Sequence, residues 1–315
     1  MFKKARIYIA GHGGLLGSAL FALMRREGYR NILVRTRAEL DLTKQSAVER
    51  FFRTEKPEYV FLCAGLTGGI IANKTNPAAF LHTNSAIQDN VFEFAFRQGV
   101  KCLVFYGSSC VYPRGLARPI REDDLLTGKI EETSEGYAVA KISGIIACKS
   151  YNVQYRRNTC IALVPNTMYG PFDSFDPAHA HVMAALIAKM HRAKTEKEKK
   201  VVLWGSGTPR REFVFSEDVA RASMFAALHA DTLGNRHYNV GTGRDYSIKE
   251  LAGMIARITG FRGRIEWDST KPDGTPRKLL NSSDFLRLGW KPCVGLEEGI
   301  CKTYAWYVKH LQRNE

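Results

Sequence analysis

The 315-residue sequence has no Cys-x-x-Cys pair and no His-rich segment, and its 7 cysteines are scattered. An odd, unclustered set excludes a disulfide scaffold and offers no zinc-ligand spacing, so neither disulfides nor a metal are expected. Most of the thiols are expected to be reduced, buried and inert. Long apolar runs are also missing: the longest, at 59–66 and 142–148, are far too short to span a bilayer. Met1-Phe2-Lys3-Lys4 leads within a few residues into Ile7-Tyr8-Ile9-Ala10 and then glycines. That pattern is a first strand and not a leader, so a cytoplasmic location and no membrane partner are expected. No internal repeat or low-complexity tract is visible. Net charge is +15, yet Lys and Arg are spread along the chain, and Glu196 and Glu198 interrupt the one dense run at 194–200. Nucleic-acid binders gather their charge into a stripe. No nucleic-acid partner is therefore expected; the charge is a solvated basic surface or a field suited to an anionic small substrate.

What is present is an ordinary globular composition, with 45% hydrophobic and 24% charged residues, arranged in alternation. Short apolar runs at 5–10, 31–34, 59–63, 102–107 and 158–164 read as strands. Amphipathic stretches at 16–27, 43–56, 77–97 and 137–155 lie between them and read as helices. Continuous apolar strands alternating with helices imply a parallel sheet covered on both faces. Beyond residue 165 the pattern loosens at Pro165, Gly170-Pro171 and Pro177. A helix at 182–192, a strand at 201–204, a helix at 216–230 and a final helix at 295–311 follow. The expected fold is α/β: a Rossmann-type doubly wound parallel sheet in a cofactor domain (1–165), with a smaller C-terminal α/β substrate lobe (166–315). Some chain crossover between the two is expected, with the site in the cleft between them.

Gly11-His12-Gly13-Gly14-Leu15-Leu16-Gly17 follows the first strand and opens the first helix. Gly11 permits a tight turn, Gly14 lets the backbone approach a pyrophosphate, and Gly17 permits close packing, while the helix start offers free N–H groups to phosphates. Three glycines can serve a turn alone; between strand and helix they indicate a dinucleotide. The second strand ends in Arg35-Thr36-Arg37, where an acidic residue would hold ribose hydroxyls, and Glu39 and Asp41 come too late for that role. Two guanidiniums suit a 2′-phosphate, so NADP(H) is the expected cofactor.

Tyr137-Ala138-Val139-Ala140-Lys141 is a Tyr-x-x-x-Lys pair, which a helix places on one face a turn apart. A nearby ammonium and the positive nicotinamide ring are expected to lower the phenol's pKa, so that it exchanges a proton with a substrate oxygen. Upstream, Gly107-Ser108-Ser109-Cys110-Val111-Tyr112-Pro113 closes a strand, where Ser108 can orient a carbonyl. In an extended segment Cys110, two residues on, points the same way.

Glycine loop, strand-end serine and Tyr-x-x-x-Lys, in this order, resemble the extended short-chain dehydrogenases/reductases. Within that superfamily the chain resembles the GDP-L-fucose synthase family nearly end to end. The likeness is carried by Gly68-Gly69-Ile70-Ile71-Ala72-Asn73, the stretch 107–113, Leu125-Leu126-Thr127-Gly128 and Tyr169-Gly170-Pro171. His181-Val182, Trp204-Gly205-Ser206-Gly207-Thr208-Pro209, Arg211-Glu212-Phe213 and the loop 271–278 complete it. The resemblance implies an NADPH-dependent enzyme that epimerises and 4-reduces a nucleotide-linked 4-keto-6-deoxy sugar, with a GDP-sugar favoured. It implies that Ser108 and Tyr137 bind the keto oxygen, with Tyr137 as proton donor and Lys141 tuning it. Cys110 and His181 would be the base and acid of epimerisation. Leu15, Leu16, Asp41, Ala64, Pro165, Thr167 and Met168 would lie along the cofactor with Lys141 and His181. Lys189, Trp204, Arg211 and Asp273 would contact the nucleotide sugar, and a homodimer would form through the helices at 77–97 and 137–155, with Phe80, Phe92, Phe94, Ile145 and Ile146 as the apolar residues.

Departures from the family pattern cluster at the pocket. Gly13 replaces an arginine, Leu66 a lysine, Asn166-Thr167 exchange places, His179-Ala180 replaces Asn-Ser, and Lys189 replaces an arginine. Each functional assignment also has a plainer counterpart. A strand-end cysteine is usually a small buried hydrophobe, His181 and its neighbour His179 could be structural, and Trp204 could pack instead of stacking on a base. Competing functions are a sugar 4-epimerase, a dehydratase, a 4-reductase without epimerisation, and a non-catalytic NADP-binding regulator. The first three are related enzymes of another type. The last would commonly lose the tyrosine or lysine.

Overall fold

The computed structural model describes residues 3–176, 180–271 and 273–314, side chains of 313 and 314 aside. Pro177, His179 and Pro272 lie outside the described residues. Six parallel strands form the large sheet in the order β2-β1-β3-β4-β5-β9. These are β1 (Ile7–Ala10), β2 (Ile32–Leu33), β3 (Tyr59–Leu62), β4 (Cys102–Tyr106), β5 (Cys160–Pro165) and β9 (His237–Val240). Successive side chains point to opposite faces, and both faces are packed. Ile7, Ile9, Phe61 and Val104 enter one core, with α1 (Leu15–Arg26) and α7 (Ser216–Leu228). Tyr8, Ala10, Val60, Leu62, Leu103 and Phe105 enter the other, under α2 (Gln45–Glu55), α4 (Pro77–Arg97) and α5 (Glu135–Tyr155). A short α3 (Ile70–Thr75) precedes α4. The expected doubly wound sheet is therefore the one found.

A third core lies in the smaller lobe. It is built from β6 (Thr167–Tyr169), β7 (Lys200–Trp204), β8 (Arg210–Phe215), β10 (Asp245–Ser247), β11 (Arg264–Asp268) and β12 (Arg277–Lys278). The helices are α6 (Val182–Thr195), α8 (Ile248–Thr259) and α10 (Leu296–Asn314), while α9 (Ser283–Arg287) puts Phe285 into the core under α1 and α7. The chain does not divide at residue 165. α7 packs on α1, β9 adds the sixth strand to the large sheet, and α9 packs on β9. Glu212 on β8, fully buried, fastens these returns. Its carboxylate accepts from the Leu280 N–H (3.0 Å), the Gly243 N–H (2.7 Å) and the Asn166 side-chain amide.

On the α4/α5 face four of the five residues singled out for an interface are buried, and Ile146 alone of them is exposed. Phe80, Phe92, Phe94 and Ile145 are buried inside the chain, because the two helices pack on the sheet and on each other. The large apolar residues left exposed there are Leu81, Val139, Ile146, Val153 and Tyr155. Of the cysteines, Cys293 and Cys301 are exposed, contrary to the expectation of mostly buried thiols that they would share. Among the described residues no group of three or more His, Cys, Asp and Glu could hold a metal ion, and no helix is long and apolar enough to cross a membrane.

The segment after β4 is anchored from behind. Tyr112 donates to Asn239 Oδ1 (2.6 Å) and meets His237 Nε2 at 3.1 Å, while His237 Nδ1 is buried without a partner. Burial, reinforced by Lys149 and Arg236, lowers the His237 pKa from 6.5 to about 4. The folded chain thus refuses a proton that the unfolded chain accepts below about pH 6.5. Stability present above pH 6.5 should decline by about 3 kcal/mol as pH falls toward 4. Urea midpoints at pH 7 and 4.5 check this, and a His237→Gln variant with an undiminished decline would put the cause elsewhere.

Candidate active site

The turn after β1 depends on two glycines. Gly11 has φ 80°, in the left-handed region, and a Cβ on it would sit 2.7 Å from the Ala64 backbone. A Cβ on Gly17 would run into the Gly11 carbonyl, so Gly17 lets the helix close on its own loop and not on the strand. Gly14 caps α1 without a side-chain hydrogen bond, and no acidic residue lies in the first turn. The first-turn N–H groups therefore face outward uncompensated, as a pyrophosphate requires. This cradle fits a dinucleotide.

At the end of β2 the two arginines differ. Arg35 is turned back, with one guanidinium nitrogen 2.5 Å from Glu55 and another donating to the Val34 carbonyl, over the Phe51 ring. Arg37 is exposed and makes no hydrogen bond or ion pair among the described residues. The expectation of two guanidiniums free for one phosphate is corrected to one, because Glu55 on α2 occupies the other. Asp41 closes its own turn by accepting from Thr43.

Beyond β4, Ser108 is extended, and residues Ser109–Val111 form a 3₁₀ turn instead of the expected extended segment. The Ser108 side chain caps that turn by accepting from the Cys110 N–H. Cys110 nonetheless remains with the other groups, because Tyr137, Lys141 and Ser108 all act on its neighbourhood. Ser108 and Cys110 both bear on the charge of the Tyr137 phenol, and Cys110 on that of Lys141. The Lys141 ammonium is 5.8 Å from the Tyr137 ring centroid and 4.9 Å from that of Phe105. α5 is held in this register by Gln88 of α4, which donates to the Ala140 carbonyl at 2.8 Å.

Burial governs the charges here. It lowers Lys141 to about 8 against the opposing Cys110 and Cys63. It raises Tyr137, with Cys110 adding and the Ser108 hydrogen bond opposing. The expected lowering of the phenol by Lys141 is thus not found in the protein by itself. A buried, partly discharged ammonium cannot outweigh the desolvation of a phenolate. Burial likewise raises Cys110 against Lys278, Ser108 and Lys141, and lowers His181, which caps α6.

Across the cleft, Trp204 ends β7 at 63% exposure, with Lys271 over its ring. Asp273 accepts from the Ser206 N–H (2.9 Å) and hydroxyl (2.6 Å) and faces Arg211. Lys189 reaches β7, donating to the Val202 carbonyl at 2.5 Å. These four residues gather on the smaller lobe, while Pro165, Thr167 and Met168 run from β5 through β6 between the lobes. Asn166 turns away from the cleft to Glu212. Two residues in the quoted motifs went without a role at the sequence level. Glu212 carried no signal, since a carboxylate between Arg and Phe reads as surface. Lys278 could have been found from β12, whose pairing sets it beside Arg211.

Residues 7–241 match the model of the NAD dependent epimerase/dehydratase family. The chain is 47% identical to GDP-L-fucose synthase 1 of Arabidopsis thaliana over 309 residues, covering 98% of this chain and 95% of that protein. It is 43% identical to the GDP-L-fucose synthase of Escherichia coli K12, covering 99% of each. Among solved structures, a GDP-mannoheptose C4 reductase from Campylobacter jejuni with NADP bound superposes with a TM-score of 0.90 at 40% identity, covering 98% of this chain and 99% of that one. With its glycine cradle, Tyr137–Lys141 pair and likeness over nearly the whole length, the chain belongs to the NAD dependent epimerase/dehydratase family, alongside the GDP-L-fucose synthases.

Proposed function

We propose that the protein converts a GDP-linked 4-keto-6-deoxy-hexose, GDP-4-keto-6-deoxy-D-mannose, into GDP-L-fucose by epimerisation and NADPH-dependent 4-reduction. The observation that carries the reading is the placing of a thiol, Cys110, beside Ser108, Tyr137 and Lys141. Reduction alone has no use for a thiol there. A 4-ketone acidifies the C–H bonds on both flanking carbons. Cys110 as thiolate removes such a proton, and Ser108 and Tyr137 hold the oxygen on which the charge collects. His181 returns a proton from the opposite face. Tyr137 then protonates the 4-oxygen as the ketone is reduced. When bound, the nicotinamide supplies the hydride for that step. Lys141 holds the nicotinamide ribose, the first turn of α1 the pyrophosphate, and Leu15, Leu16, Asp41, Ala64, Pro165, Thr167 and Met168 line its path. Lys189, Trp204, Arg211 and Asp273 take the GDP end, and a homodimer through α4 and α5 remains part of the proposal.

The test combines protein, NADPH and a panel of nucleotide 4-keto-6-deoxy sugars, following loss of NADPH absorbance and identifying products. Reduction without epimerisation would favour the 4-reductase reading that the 40% identical heptose reductase suggests. For the cofactor, catalytic efficiency with NADPH should exceed that with NADH at least tenfold, about 1.4 kcal/mol. Because Glu55 holds Arg35, Arg37→Ala should erase most of that preference and Arg35→Ala less, with NADH use little changed in either. Equal use of the two cofactors by the unmodified protein would refute the assignment.

A further inference from the structure

The cleft that reaches Cys110 is lined by an uneven set of cations. Arg277 is held by Asp245 at 2.5 Å and Arg114 by Glu132 at 3.4 Å. Lys278 lines the same cleft, and its ammonium makes no hydrogen bond or ion pair among the described residues. Its backbone is fixed: Lys278 pairs in parallel register with Arg211, and its carbonyl accepts from the Asn166 amide. Cross-strand partners share a face, so Lys278 and Arg211 stand side by side. Arg211 looks to Asp273, whereas Lys278 lines the cavity that Cys110 also lines.

We propose that Lys278 is a positioning residue for epimerisation, the cation that lines the same cavity as Cys110 and favours loss of the thiol proton when Cys110 acts as base. This rests on the function proposed above for what the thiolate is used for. The charges around the sulfur support it. Burial raises Cys110, and the groups drawing it down are Lys278 first, then the Ser108 hydroxyl, then Lys141. Lys141, lowered to about 8, is the weaker cation for this purpose, and its own place is beside Tyr137. Burial lowers Lys278 in turn, with Cys110 raising it, Arg211 opposing and Glu131 adding on the same side as the thiol. Tyr137 also faces the sulfur but is held neutral by burial. In the step served, the C–H bond beside the ketone breaks, an S–H bond forms on Cys110, and the electron pair moves to the 4-oxygen. Lys278 keeps its proton throughout.

The full-length protein, Lys278→Met and Lys278→Arg are alkylated with iodoacetamide across a pH series, and modification of the Cys110 peptide is followed by mass spectrometry. The exposed Cys293 and Cys301 peptides serve as internal references. Loss of the charge should raise the Cys110 midpoint by about one pH unit or more, a tenfold loss of thiolate at fixed pH. Lys278→Arg should restore the midpoint. If Lys278→Met does not fold, Lys278→Gln takes its place. An unchanged midpoint in the uncharged variant overturns the proposal, because a lysine that only binds phosphate leaves the thiol where it was. A second measurement follows deuterium entering the carbons beside the ketone without NADPH, and its pH midpoint should move with the first. No exchange by the unmodified protein would instead overturn the epimerase function, and the alkylation series decides the role of Lys278 independently.

Discussion

Cys110→Ser is expected to leave a reductase that no longer epimerises, so that unepimerised 4-reduced sugar accumulates. A positioned base contributes roughly 10²–10⁴ in rate, and deuterium incorporation beside the ketone should fall by about that factor. The substitution is nearly isosteric, and the bond from the residue 110 N–H to Ser108 is a backbone bond that serine keeps. Tyr112 holds the next turn through Asn239 and His237 in either case. What changes is acidity: a serine hydroxyl is a far weaker acid than a thiol, even a thiol that burial holds up. In deuterated water the unmodified enzyme should label the carbons flanking the former ketone and the variant should not. Epimerised product made at an undiminished rate would mean that Cys110 is packing and that the bifunctional reading fails.

Tyr137→Phe should reach further, lowering the rate of 4-reduction by about 10²–10⁴, or about 3–5 kcal/mol in barrier. The ring stands edge-on to Phe80, with centroids 6.1 Å apart at 87°, and phenylalanine retains that contact. Only the hydroxyl is lost. Because burial raises Tyr137, the phenol is a donor across the whole ordinary pH range, the state needed to protonate an alkoxide. Deuterium exchange should slow as well, since the same hydroxyl stabilises the enolate, but by less, as Cys110 remains. Single-turnover rates with pre-bound NADPH separate the two effects. Reduction at the unmodified rate would show that Ser108 or solvent supplies the proton.

The parallel sheet was legible because strands buried on both faces read as unbroken apolar runs, and the helix boundaries at 77 and 97 were those of Pro77 and the last apolar turn. The cradle and the Tyr-x-x-x-Lys pair were legible because their spacing is the chemistry. Three things were not. The 3₁₀ turn at Cys110 depends on Ser108 capping it, a local bond with no periodic signature. The fate of Arg35 depends on Glu55, twenty positions away on another element. Phe80, Phe92 and Phe94 are apolar on several faces of α4 because that helix meets the sheet and α5 together, and an amphipathic count cannot tell a second internal neighbour from a partner subunit.

The return of the chain into its own first half also has a consequence at the ribosome. β9 and α7 are needed to close the sheet edge beside β5 and the apolar surface of α1, and they lie at residues 237–240 and 216–228. The first 165 residues therefore emerge with a strand edge and an apolar helix face uncovered, and they stay so until more than seventy further residues have left the exit tunnel. At roughly 5–20 residues per second that interval is of the order of several seconds. Vectorial folding cannot finish the nucleotide-binding half first. Nascent chains stalled near residue 200 should be bound by chaperones and easily proteolysed, and those stalled well past residue 300 should not.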